Sequence, residues 1–60
     1  PLNRKIQLVS YLLALHGKNV QITRLMNDQL KQAIIEYKRE HGFPADDTLS
    51  KEFYVSLLKP

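Results

Sequence analysis

The apolar residues of the chain fall into three groups at helical spacing, separated by two stretches without such a period. In the first group Ile6, Val9, Leu12, Leu13 and His16 recur in steps of three and four, while Leu8, Tyr11 and Leu15 add a second apolar stripe. Asn3 stands ahead of this run as an N-cap, and Gly17 supplies the left-handed position at which many helices stop. A helix apolar over most of its circumference must be covered by two neighbours or keep one side for docking.

The second group is the clearest. Leu30, Ala33, Ile34, Tyr37 and His41 follow one helical stripe, and Lys31, Gln32, Lys38 and Arg39 are expected to face away from it. Asn27-Asp28 offers a cap and a negative charge at its start; Gly42 and Pro44 end it, with Phe43 placed for the apolar contact that accompanies such a stop. In the third group Leu49, Phe53 and Leu57 lie four apart, beside Tyr54 and Leu58. Ser50 is its cap, and the helix is expected over residues 51–59, with Glu52 early and Lys59 late to suit the helix dipole.

The two intervening stretches resemble each other. Each follows a His-Gly pair (His16-Gly17 and His41-Gly42) and ends on an apolar anchor ahead of a cap, Leu25-Met26-Asn27 in one and Leu49-Ser50 in the other. Val20 and Ile22 alternate with polar neighbours, which predicts a short extended segment within residues 18–26, with Leu25 and Met26 pointing inward. The expected fold is therefore all-α: a small three-helix bundle with two similar helix–loop–helix corners that share the middle helix. Solenoids need three or more units, so this near-repeat is not one.

Sixty residues suffice for a single domain, taken as residues 1–60 and, with proline at both ends, as a piece of a longer chain. A domain of this size buries only about 60% of the surface its unfolded chain exposes, which argues against a core and a shaped catalytic pocket together. With 43% hydrophobic residues and a net charge of +3, the composition is that of a folded module, not of a disordered tail. The chain has no cysteine, which excludes disulfides and thiolate chemistry. Arg4-Lys5 followed by an apolar run imitates a secretory signal, but Gln7 and Ser10 interrupt it and no small-residue cleavage site follows. The run is also about half the roughly 20 apolar residues a membrane span requires, so no membrane insertion is expected.

The layout resembles the peptidoglycan-binding-like domain, a three-helix module of bacterial cell-wall hydrolases, transpeptidases and envelope machinery. The resemblance extends from about Ile6 to Leu58 and is strongest over Ala33-Ile34-Ile35-Glu36-Tyr37-Lys38-Arg39-Glu40-His41-Gly42-Phe43-Pro44. There the family pattern reads alanine, apolar, two variable positions, phenylalanine, glutamine, two variable positions, histidine or asparagine, glycine, leucine, proline. Ahead of the middle helix, where the family usually shows Asp-Gly-x-x-Gly-Pro, this chain has Thr23-Arg24-Leu25-Met26-Asn27-Asp28, and Asp47 stands where a glycine is common. Asn27 and Asp47 are the residue types that replace glycine in turns most readily.

The resemblance implies a non-catalytic module that binds cell-wall glycan or stem peptide and anchors a larger protein in the bacterial periplasm or envelope. A protein-docking role without glycan binding is the alternative it leaves open. No cofactor is implied. The candidate ligand-binding residues are Thr23, Arg24, Asn27 and Asp28, in a loop feeding a helix start, together with Tyr54, whose ring can stack on sugar.

Other chemistries find little support in the residues. His16 and His41 precede helix-ending glycines, where an imidazole bonds terminal carbonyls, and no third ligand has a spacing that suits zinc. Asp46-Asp47 reads as a turn that bonds its own backbone, and Glu36 with Glu40 as a solvated face, not as an acid–base pair for glycosidic cleavage. Ser10, Ser50 and Ser56 belong to no recognisable triad. Tyr37 is expected in the core with its hydroxyl at the rim. A helix-turn-helix is the rival three-helix reading. Its reading helix would offer only Lys51, Glu52, Ser56 and Lys59, and the Lys31, Lys38 and Arg39 face also carries Glu36 and Glu40, so no nucleic-acid partner is expected.

Overall fold

In a computed structural model, which describes residues 4–59, three helices and no strand form: α1 (Arg4–Leu15), α2 (Asp28–Glu40) and α3 (Lys51–Leu58). The proposed Asn3 cap and the terminal prolines lie outside the described residues. Helix α1 packs against both α2 and α3, and α2 meets α3 through Tyr37 and Phe53, whose rings lie edge-on 5.6 Å apart.

Both corners close as their glycines predict. After α1, Lys18 N–H donates to the Leu13 carbonyl and Gly17 N–H to that of Ala14, each at 3.0 Å. After α2, Phe43 N–H donates to the Lys38 carbonyl at 2.8 Å. This is the Schellman geometry, and Gly17 (φ +90°) and Gly42 (φ +78°) hold its left-handed residue. The caps are also those expected: Asn27 Oδ1 accepts from Leu30 N–H at 2.8 Å and Ser50 Oγ from Phe53 N–H at 3.2 Å.

The core gathers Val9 and Leu13 from α1, Leu30, Ile34 and Tyr37 from α2, and Phe53 and Leu57 from α3. Tyr37 is 1% exposed. The His41 ring stacks on it at 4.0 Å, and the His16 ring meets it edge-on at 5.3 Å. The two histidines serve different carbonyls. His41 Nδ1 lies 2.9 Å from the Tyr37 carbonyl of its own helix, whereas His16 Nε2 lies 2.8 Å from that of Leu57 in the last turn of α3. A carbonyl only accepts, so each of these nitrogens carries the proton. His16 thereby satisfies one of the carbonyls that the end of α3 leaves without a partner.

Four expectations are corrected. Lys38 does not face away from the core: it is 3% exposed, and its Nζ donates to Asp46 Oδ1 at 2.7 Å, to Thr48 Oγ1 at 3.2 Å and to the Thr48 carbonyl. The loop 44–48 folds back over α2 and supplies those acceptors, so the side chain exchanges water for protein partners. Leu25 points outward at 68% exposure, and only Met26 of that pair packs on the core. Residues 18–26 are irregular instead of extended, because Val20 turns onto the core while Ile22 remains exposed. Asn27 takes an extended geometry (φ −91°, ψ 175°), so it works as a cap and not as a stand-in for glycine. In addition α3 stops at Leu58, one residue short of expectation, with Lys59 as its C-cap.

Candidate functional site

The first loop is built from α1. Ser10 is fully buried, and its Oγ lies 2.8 Å from the Gln7 carbonyl and 3.2 Å from that of Thr23, while accepting from Thr23 N–H at 3.0 Å. The hydroxyl thus pins the loop to α1. Thr23 Oγ1 in turn accepts from Leu25 N–H at 3.0 Å, and the Asn27 side chain is engaged in its cap. Two of the four predicted loop residues therefore spend their side-chain oxygens on local structure. Arg24 is exposed, and Asp28 is exposed in the first turn of α2, where its charge complements the dipole.

Tyr54 lies apart from that loop, on α3. Its ring is half-buried, tilted against Phe53 at 6.3 Å. Its hydroxyl oxygen is enclosed without a hydrogen-bond partner among the described residues. Burial raises its pKa above the usual tyrosine value. None of the five predicted residues lines the clefts of about 520, 330, 320 and 240 Å³ among the described residues. A cleft of about 320 Å³ near the first loop is walled by Asn19, Gln29, Gln32, Ala33 and Glu36, none of them among the five.

A larger cleft, of about 520 Å³, opens at the second corner. His41 and Phe43 form one wall; Lys51, Glu52, Val55 and Ser56 of α3, with its C-cap Lys59, form the other. Those five recur at i, i+1, i+4, i+5 and i+8, which places them on one helical face. Sequence reasoning had gathered most of that face as a thin nucleic-acid reader, but nothing in the spacing told that the His41–Phe43 corner would lie opposite. Behind that wall, Ser56 Oγ and the Tyr37 hydroxyl are 2.6 Å apart. The adjoining hollow of about 330 Å³ contains the Lys38–Asp46 link. That link, with the Thr48 hydroxyl and N–H, holds the Asp46 carboxyl down to about 2. On the opposite side Lys18 Nζ reaches Glu40 at 2.7 Å and keeps that carboxyl below its ordinary value.

A third feature is apolar. Leu8, Tyr11 and Leu15 of α1 are 45%, 46% and 65% exposed, and Leu58 of α3 is 66% exposed. A small hollow of about 240 Å³, walled by Leu12, Leu15, His16 and the end of α3, continues this surface. Among the described residues no group of three or more His, Cys, Asp or Glu side chains could hold a metal ion, and no helix is long and apolar enough to cross a membrane.

No family model, curated protein or solved structure matches the chain.

Proposed function

We propose that this chain is a non-catalytic peptidoglycan-binding-like module that holds a larger bacterial envelope protein to the cell wall. One observation carries the reading. The segment of strongest resemblance, residues 33–44, ends in a glycine-closed corner whose His41 and Phe43 wall a ligand-sized cleft of about 520 Å³. The binding surface in this reading is that cleft, in place of the first loop, where Thr23 and Asn27 are committed to the backbone. Tyr54 has no part in its walls.

Co-sedimentation with purified, insoluble cell-wall sacculi tests the reading. Saturable pelleting of the chain that duplex DNA does not compete away supports it. A chain that stays in the supernatant at every sacculus concentration overturns it.

A docking role is favoured by a different observation, the exposed row of Leu8, Tyr11, Leu15 and Leu58. Tyr11→Ser with Leu15→Ser separates the two, since it leaves the cleft untouched: pelleting that survives the pair belongs to the cleft. The nucleic-acid rival is weakened by Lys38, which is buried against Asp46 and withdrawn from the cationic face that reading needs.

A further inference from the structure

The outer face of α1 carries apolar surface that neither the core nor the cleft at the second corner uses. At about 3.6 residues per turn, Arg4, Leu8, Tyr11 and Leu15 fall within an arc of about 60°, on the side of the helix away from the buried Val9 and Leu13. All four are exposed. The row runs about 16 Å from Arg4 to Leu15 at about 1.5 Å per residue, and Leu58 of α3 prolongs it across the small hollow beside Leu15.

The charges around this row have one sign. Arg4 and Lys5 stand exposed at one end, and Lys59 stands exposed at the other, in the wall of the same hollow as Leu58. Helix α1 contains no acidic residue, and none lines the hollow. The acid of α3, Glu52, is at the opposite end of that helix from Leu58, in the wall of the larger cleft. The face is therefore apolar along its middle and cationic at both ends.

That pattern selects among occupants. A second copy laid antiparallel on the row would set Lys59 against Arg4 and Lys5. Laid parallel it would set those two against themselves, with no carboxylate on the row to offset either. A coiled-coil partner needs a seam sustained over about three to four heptads, and α1 has 12 residues. A sugar or peptide needs directed hydrogen bonds, but leucines make most of the hollow, and His16 Nε2 there is engaged by the Leu57 carbonyl. An anionic lipid surface asks for none of these. It takes up an amphipathic helix lying in its plane, through apolar side chains on one face and cations at the edge. Tyr11, with an apolar ring and a polar tip, suits the headgroup level.

We infer that α1 lies flat on an anionic membrane surface, with Leu8, Tyr11, Leu15 and Leu58 entering the headgroup boundary and Arg4, Lys5 and Lys59 meeting lipid phosphates. The helix does not cross: 12 residues span about 18 Å, short of the roughly 30 Å of hydrocarbon. This contact uses a different face from the wall-binding cleft and is independent of that reading.

The test is co-sedimentation with vesicles that contain no cell wall, one set of phosphatidylcholine alone and one of equal parts phosphatidylglycerol and phosphatidylcholine. The chain is expected to pellet with the anionic set, to be released as salt rises, and to stay in solution with the neutral set. Arg4→Gln with Lys5→Gln should weaken binding tenfold or more, at about fivefold per cation. Tyr11→Ser with Leu15→Ser should weaken it by about tenfold. All four side chains are exposed, so circular dichroism should show the parent's helix content in both variants. The chain lacks tryptophan, so Tyr11→Trp places a single indole on the row. Its emission should shift to the blue with anionic vesicles and be quenched by lipids brominated in their acyl chains. A chain that stays in the supernatant with anionic vesicles overturns the inference and returns the row to a protein partner. Pelleting that the Tyr11→Ser, Leu15→Ser pair leaves unchanged also overturns it, as adsorption by charge alone. A dimer in solution that the same pair dissolves gives the row to a second copy and overturns it as well.

Discussion

Replacing Lys38 separates what its stem contributes from what its charge contributes. The side chain is 3% exposed, so its methylenes are packed, with Nζ 5.1 Å from the centre of the Phe53 ring. Lys38→Ala removes three buried methylenes, worth about 0.8 kcal/mol each, and so should cost about 2–3 kcal/mol. Lys38→Met keeps a stem of similar length and deletes the ammonium. Charge-assisted hydrogen bonds of about 1.5–3 kcal/mol each are lost, but so is the penalty of several kcal/mol for holding an ammonium out of water. The acceptors left behind, Asp46 and Thr48, are exposed and regain water. The two effects offset, and Lys38→Met should change stability by less than about 1 kcal/mol. For a domain of this size 1 kcal/mol moves Tm by about 4–8 °C, which thermal unfolding followed by circular dichroism resolves. Acid provides the second arm. Asp46 has its folded pKa lowered to about 2 from 3.8, with the Lys38 hydrogen bond as the largest cause and the Thr48 bonds next. A depressed carboxylate stabilises above its unfolded pKa, so this contribution is complete above about pH 4 and is lost as pH falls through about 2. The acid loss should shrink in Lys38→Met, where the Thr48 bonds alone remain. If Lys38→Met loses as much as Lys38→Ala at neutral pH, the ion pair and not the stem carries the stability and the reasoning is wrong.

Gly42→Ala meets no atom within 4 Å of the added Cβ, so its cost comes from φ +78° alone and should be about 1–2 kcal/mol in urea unfolding, with little change in the slope. Asn27→Ala deletes the acceptor for Leu30 N–H and should destabilise by about 1 kcal/mol while sacculus pelleting of the folded fraction is unchanged; pelleting that falls further would return this residue to the binding surface. Tyr37→Phe should cost about 1 kcal/mol, and a double-mutant cycle with Ser56→Ala should recover a coupling of that order if the hydroxyl pair at 2.6 Å is what is lost.

What was readable from sequence follows the range over which each signal acts. Helix periods, the Asn27 and Ser50 caps and the Gly17 and Gly42 stops are local, set within four or five residues, and the structure has each of them. Tyr37 was legible too, because one stripe of α2 had to be buried and a tyrosine on it needs a partner for its hydroxyl. Lys38 is the opposite case. It sits beside that stripe, and its burial depends on Asp46 and Thr48 returning over α2 from a loop eight and ten residues away, which no period encodes. The same return separates the predicted site from the cleft. Thr23 in the first loop looked available because its bonds to Ser10, thirteen residues away, and to Leu25 carry no sequence signal. The charged face of α3 looked thin because the His41–Phe43 wall opposite it comes from another element. In a three-helix chain this short, a polar side chain near a helix start is used first to close that start. That leaves the second corner, where Glu52, Val55 and Ser56 of α3 face His41 and Phe43 across the cleft, ahead of the first loop as the surface we propose for a ligand.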